Sequence, residues 1–363
     1  MRKLGISIYP NHSELNDMKH YLDLAAKYGF TRVFSCLLSV EGDKNKVVAE
    51  FKEIIDYAKD KGMEVIVDIS PQIFERLGAS YNDLTFFKEI GADGIRLDEG
   101  YTGNEESIMT FNPEDLQIEL NISNGTKYLE NILSYQPKKE NVIGCHNFYP
   151  HRYTGLGYDH FIETSKEYKR HGIRTAAFVN STTAKIGPWP VSEGLCTLEM
   201  HRDLPIEVQA KHLWATELID DVIIANAFAS EEELKALSQI NPYQLTLRCE
   251  LEAAIPELEK TIILDECHFN RGDVSDYVIR STQSRVKYSD KEFPVFNTPE
   301  HIERGDIIIE SSLYTRYAGE LQVALLPMKN SGKSNVAGHI AEDEIPLLDL
   351  VKPWQKFKFQ EMN

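Results

Sequence analysis

The stretch Ile90-Gly91-Ala92-Asp93-Gly94-Ile95-Arg96-Leu97-Asp98-Glu99-Gly100 decides the fold. The helical pattern of Asn82–Ile90 stops at Gly91, the residue type that most readily takes the left-handed turn closing a helix. Directly after it, Gly94–Gly100 alternates apolar Ile95 and Leu97 with charged Arg96 and Asp98, which is the period of a strand. The same punctuation recurs at Tyr28-Gly29, Lys61-Gly62 and His171-Gly172. Working outward, the remaining predicted strands are Lys3–Tyr9, Arg32–Leu38, Glu64–Ser70, Ile118–Ser123, Val142–Tyr149, Arg174–Asn180 and Asp221–Ala227. Helical patterns such as Asn16–Tyr28, Lys44–Lys61 and Tyr158–His171 lie between them. Eight strands, nearly all followed by helices, within about 240 residues predict an α/β fold, a (β/α)8 TIM barrel. A doubly wound open sheet is the runner-up, but no GxGxxG follows the first strand.

Beyond about residue 245 the texture changes. Ile262–Asp265, Val278–Arg280, Asp306–Glu310 and Leu321–Leu326 are strand-like, with turn chemistry between them at Asn270–Asp273, Arg304–Asp306 and Asn330–Gly332. The expected division is a barrel over residues 1–243 and a smaller β-rich domain over 244–363.

The 363 residues carry 39 Lys+Arg against 57 Asp+Glu, a net charge of -18. Such a field repels polyanions, so nucleic acid and an acidic membrane surface are excluded as partners. The hydrophobic fraction of 42% is that of a globular protein. No window approaches the ~18 apolar residues of a membrane span, and Leu4–Ile8 is too short for a signal core. Cys36, Cys145, Cys196, Cys249 and Cys267 are odd in number and lack CxxC spacing, so reduced thiols and a cytoplasmic protein are expected.

TIM-barrel chemistry sits at the C-terminal strand ends. Alternation places Arg96, Asp98, Asp68, Ser70, Glu119, Asn121 and Ser123 toward the axis, with Ser7 and Tyr9 from strand 1. Strand 6 adds His146 or Asn147 with Tyr149, and strand 8 adds Asn226. Each has a structural reading as well: Arg96–Asp98 as an internal ion pair, Asp68 as a turn cap, His146 as a hydrogen-bonded core residue. The constellation outweighs any member, because several buried polar groups without partners are costly.

No lysine near a C-terminal strand end supports Schiff-base chemistry, and HxH, HExxH and clustered cysteines are absent. Gly332-Lys333-Ser334 is not a phosphate-binding loop, since Pro327 stands where its first glycine belongs. Asp68, Asp98 and Asn121 would suit a divalent cation with oxygen ligands, the basis of an alternative: a metal-dependent sugar-phosphate isomerase or lyase. A non-catalytic sugar-phosphate sensor is a third reading. Glycoside hydrolysis fits the carboxylates better, because it needs a protonated carboxyl and a second group at the anomeric centre. Asp68, Asp98, Glu99 and Glu199 are the candidates. Glu199 lies in the long segment between strands 7 and 8, and such segments are more often functional than decorative.

At these residues the sequence resembles the 6-phospho-N-acetylmuramidase family. The resemblance is carried by Gly94–Asp98, Asn121-Ile122-Ser123-Asn124, His146–Pro150 with Tyr153–Leu156, Leu198–Arg202 and Arg316–Gln322. It implies a TIM barrel followed by a cyclophilin-like β-barrel. It also implies a cofactor-free cytoplasmic glycosidase of cell-wall recycling, a monomer or homodimer. The substrate implied is a small phosphorylated disaccharide, N-acetylmuramic acid 6-phosphate linked to N-acetylglucosamine.

With that substrate, Asp98 and Glu199 are the leading carboxyl pair and Asp68 the substitute for either. A second scheme uses the substrate's own acetamido group, steadied by Asp98 with Glu99 as acid. Phosphate is expected at the loops after strands 7 and 8, on Asn180, Ser181 and Asn226, with Arg316 or Arg202 as a forked donor. Tyr149 and Arg152 are expected near the lactyl carboxylate, and Arg96, Asn121, His146 and Asn147 around the sugar.

Overall fold

A computed structural model describes residues 1–37 and 44–362. The chain divides into two compact units, Met1–Gln239 and Ile240–Asn363. In the first, strands β1 (Lys3–Ile8), β2 (Arg32–Cys36), β3 (Glu64–Ile69), β4 (Gly94–Leu97), β5 (Gln117–Asn121), β6 (Val142–Cys145), β7 (Arg174–Val179) and β8 (Asp221–Ile224) pair in sequence order. All pairings are parallel, and β1 pairs with β8 to close the barrel. The expected strands all form. Leu38, the end of the predicted second strand, lies outside the described residues.

Helices coat the barrel through apolar stripes. Helix Leu15–Lys27 buries Met18, Tyr21, Leu22 and Ala25, the spacing of one helical face. The strands present Val65, Val67, Ile95 and Ile118 to such faces, all without exposure. Their alternate residues fill the axis with charge. Fully buried Arg32 donates to Asp221 at 2.6 Å and also to Glu119, both fully buried. Arg174 joins Asp221 to Glu64, and Lys3 reaches Glu64 at 2.9 Å. Because Lys3, Arg32, Glu64, Arg174 and Asp221 each open a strand, this network plugs the N-terminal end of the barrel.

The strands end one to four residues earlier than the sequence pattern predicts. Past Cys145 the chain turns sideways: Tyr149 N–H donates to Cys196 at 3.1 Å, in the long segment after β7. That segment is tied down again by Leu156 N–H to Thr197 at 2.9 Å and Ala227 N–H to Ile186 at 2.8 Å. Polar residues near the strand ends thus leave the ladder and become free to build a site.

In the second unit β9 (Leu245–Leu251), β10 (His268–Phe269), β11 (Val278–Ser281), β13 (Asp306–Glu310), β14 (Leu321–Ala324), β16 (Ser334–Ile340) and β17 (Lys356–Glu361) form one mixed sheet. Its order is β10-β17-β9-β16-β13-β14-β11, while β12 (His301–Ile302) and β15 (Met328–Lys329) form a separate ribbon. The sheet curls until its edges nearly meet: Arg271 N–H donates to the Arg280 carbonyl at 3.0 Å. One expectation fails here. Ile262–Asp265 belongs to a helix, Glu257–Asp265, not a strand. Pro256 precedes it, and Glu259, Ile262 and Ile263 share its buried face. Among the described residues, no helix is long and apolar enough to cross a membrane.

Candidate active site

β3 and β4 lie in register so that Asp68 stands beside Arg96. The Arg96 side chain is 3% exposed, too deep to remain unpaired. One of its terminal nitrogens donates to Asp68 Oδ1 at 2.7 Å and to Asp98 Oδ1 at 3.3 Å. The other donates to Asn147 Oδ1. These residues, with Cys36, Phe148, Tyr149, Phe178, Pro188 and Trp189, line a 240 Å³ cavity.

Asp98 sits just past the end of β4, where its side chain is 38% exposed. Asn121 fixes that turn by donating to the Asp98 carbonyl at 3.3 Å while accepting from Ser123 N–H at 2.9 Å. Asp68 is nearly buried. Burial pushes its carboxyl up to about 7, against the pull of the Arg96 guanidinium and with the help of the Asp98 charge. Tyr149 also has its hydroxyl pKa raised by burial.

This arrangement corrects the metal-site alternative. The positive guanidinium of Arg96 occupies the position between Asp68 and Asp98 where a cation would have to sit. Asn121 spends its amide on backbone rather than on a shared centre. Among the described residues, no group of three or more His, Cys, Asp or Glu side chains is disposed to hold a metal ion.

Glu199 stands elsewhere. Its carboxylate accepts from Arg202 Nε at 2.7 Å and Nη2 at 2.6 Å, and from the backbone N–H groups of Tyr153 and Gly155, both at 2.8 Å. Led by the Arg202 bonds, these donors hold its pKa down at about 2. An acid so firmly ionised has no proton to give, and Glu199 does not line the cavity. A Cβ on residue 155 would come within 2.7 Å of Glu199 Oε2, so glycine is required there. Glu199→Gln is therefore expected to cost about 1–2 kcal/mol at pH 7 yet lower kcat by less than tenfold. The stability difference should be full above pH 4.5 and vanish as pH falls toward 2, since the folded-state pKa is depressed. Melting curves of both proteins across that range check it.

Glu99 is exposed and outside the cavity. His146 is wholly buried, its ring held by Ser165 at 2.8 Å and Ser123 at 3.3 Å and packed on Phe161. Burial lowers its pKa to about 3, which makes it a core residue rather than a sugar ligand.

The expected phosphate seat is already filled. Arg152, Asn180, Ser181 and Asn226 do line one 430 Å³ cavity with Arg202 and Lys185. The Ser181 and Thr183 hydroxyls, however, both donate to Glu233 at 2.6 Å, and Thr182 N–H donates at 2.9 Å. Glu233 also closes the capping box of helix Glu231–Ser238 with Ser230. The protein's own carboxylate thus takes the donors a phosphate would need. Asn180 and Asn226 are spent on backbone groups at 2.8–2.9 Å. Arg152 forms a two-pronged pair with Asp203 at 2.7 and 3.0 Å rather than standing ready for a lactyl carboxylate. Arg316 belongs to the second unit and lines a cavity there.

Residues 4–239 match the N-terminal domain, and residues 245–360 the C-terminal domain, of 6-phospho-N-acetylmuramidase. The chain belongs to the 6-phospho-N-acetylmuramidase family. That makes it a glycosidase of peptidoglycan recycling, and the two family models give no support to the isomerase or lyase alternative. An uncharacterized B. cereus protein of known structure shares 53% identity with this muramidase-family chain, covering 99% of each chain with a TM-score of 0.93. A conserved Enterococcus faecalis protein described as having unknown function shares 26% identity over 99% of this chain and 97% of its own, TM-score 0.71. No curated protein matches the sequence.

Five residues of the cavity wall were not among the sequence candidates: Cys36, Phe148, Phe178 and, in the segment after β7, Pro188 and Trp189. The Gly187-Pro188-Trp189-Pro190 run was the available signal, since an exposed tryptophan held between prolines has little to do in a core.

Proposed function

We propose that the barrel cavity cleaves the β-1,4 bond of N-acetylmuramic acid 6-phosphate linked to N-acetylglucosamine, with Asp68 as the acid and Asp98 at the anomeric centre. The observation that carries this reading is the Asp68–Arg96–Asp98 arrangement. Both carboxylates reach one nitrogen, so their nearest oxygens are at most about 6 Å apart, close enough to act on one glycosidic bond. Asp68, raised to about 7, holds a proton over much of the neutral range and gives it to the leaving oxygen. Asp98, more exposed, supplies the carboxylate facing the anomeric carbon or the substrate's acetamido group. Either route retains configuration. Four of the five cysteines, Cys36, Cys145, Cys196 and Cys249, are buried, in keeping with action in the reducing cytoplasm.

Release of N-acetylglucosamine from the phosphorylated disaccharide, with a chelator present, tests the activity. The anomer of the sugar phosphate first released, followed by NMR, tests the geometry. Inversion would remove Asp98 from its assigned role. The indole of Trp189, 48% exposed at the cavity rim, offers a flat face for a sugar ring. Trp189→Ala is expected to raise KM about tenfold with kcat within twofold of the parent. Initial-rate curves for the disaccharide check it.

A further inference from the structure

Four of the six arginines in residues 240–363 line one open cavity of the second unit: Arg271, Arg280, Arg285 and Arg316. Its volume is 670 Å³, and Asp273, Ser289 and Tyr317 complete the polar wall. The clustering stands out in a chain with a net charge of -18. Among the described residues, two carboxylates answer these four guanidinium groups. Arg280 and Arg285 share one, Glu320, at 2.8 Å each. Arg271 takes the other, Asp273, through two bonds at 2.6 and 2.7 Å. Arg316 is exposed, and among the described residues it has no hydrogen-bond or ion-pair partner.

The form of this cluster is that of a prepared anion site. Glu320 is fully buried, a strange place for a carboxylate unless it orients something. It accepts a hydrogen bond from Arg280 Nε of β11 and forms an ion pair with Arg285 of helix Gln283–Lys287, so both side chains are drawn to it before any ligand arrives. Arg285 is further flattened against the Tyr317 ring at 5.2 Å. Arg280 uses only Nε on Glu320, which leaves its terminal N–H groups for an outside acceptor. Thr315 takes φ +47°, an uncommon conformation for a β-branched residue, immediately before Arg316. With two carboxylates against four guanidiniums, the cavity holds a surplus of two positive charges, the charge of one phosphate dianion.

We propose that this cavity binds a phosphate dianion, free or as the monoester of a sugar, through Arg316 together with the oriented forks of Arg280 and Arg285. Forked guanidiniums suit tetrahedral oxyanions better than ammonium groups do. The assignment does not depend on the barrel chemistry above.

The test is calorimetric titration of the full chain with inorganic phosphate, N-acetylglucosamine 6-phosphate and, as a neutral control, N-acetylglucosamine. Parent, Arg316→Ala and Asp98→Asn are compared. Arg316→Ala touches an exposed, unpartnered side chain and is expected to weaken phosphate binding roughly tenfold or more, while Asp98→Asn leaves it unchanged. A loss confined to inorganic phosphate identifies the free anion as ligand; a larger loss with the sugar phosphate identifies the monoester. Crystals of the full chain soaked in tungstate should show the heavy oxyanion between Arg316 and Arg280. Equal phosphate binding by parent and Arg316→Ala, Arg316-dependent binding of the neutral sugar, or tungstate found only outside this cavity would each overturn the assignment.

Discussion

Asp98→Asn is expected to lower kcat/KM for the phosphorylated disaccharide by roughly 10²–10⁴-fold, the range in which positioned proton-transfer and charge-stabilising groups act. The fold should survive, because Asp98 is 38% exposed and Asn keeps the oxygen that faces Arg96. Asp68→Asn is expected to fall as far, with a distinguishing mark in the pH profile. An acid catalyst works only while protonated, so the parent's rate should fall as pH rises through about 7. In Asp68→Asn the residual rate should lack that limb. A limb of unchanged position in the variant would assign the acid to another group.

The largest stability effect is expected from Arg32→Leu. Arg32 is fully buried and holds Glu119 and Asp221, both equally buried, at the closed end of the barrel. Removing it leaves two carboxylates facing each other away from water, and breaking such a pair typically costs about 3–5 kcal/mol. The urea midpoint of the barrel should drop accordingly, or the chain should fail to accumulate as folded protein. Arg32→Leu combined with Glu119→Leu and Asp221→Val should recover much of the loss, since apolar replacement of a whole buried ion network is often neutral or better. A single variant as stable as the parent would mean that Arg174 alone satisfies Asp221.

The barrel was legible because strand patterning recurs eight times from Lys3 to Asp221, and a glycine closes the helical pattern ahead of four of those strands, at Gly29, Gly62, Gly91 and Gly172. The inward placement of Asp68, Arg96, Asp98 and Asn121 followed from period two alone. What alternation cannot supply is which partner a polar residue has already found. Ser181–Thr183 reads as an anion cradle until Glu233, fifty residues on, is seen to occupy it. The Ser230–Glu233 capping spacing was visible in sequence, but its reach across to the loop after β7 was not. Glu199 misled in the same way: a carboxylate in a long loop looks catalytic, and only its four donors reveal a clamp. Helix Glu257–Asp265 was hidden because four apolar-rich residues read equally as strand or buried helix.

That clamp has a consequence for how the barrel mouth opens. Tyr153 and Gly155 follow β6, whereas Glu199 and Arg202 follow β7, and Arg202 also donates to the carbonyls of Tyr149 and Gly194. The two loops share one carboxylate and one guanidinium, so neither can peel away without dismantling the anchor of the other. Their amide protons should therefore exchange with solvent as one cooperative unit with a single opening free energy, leaving the Pro188–Trp189 rim, outside the clamp, to admit substrate on a faster clock.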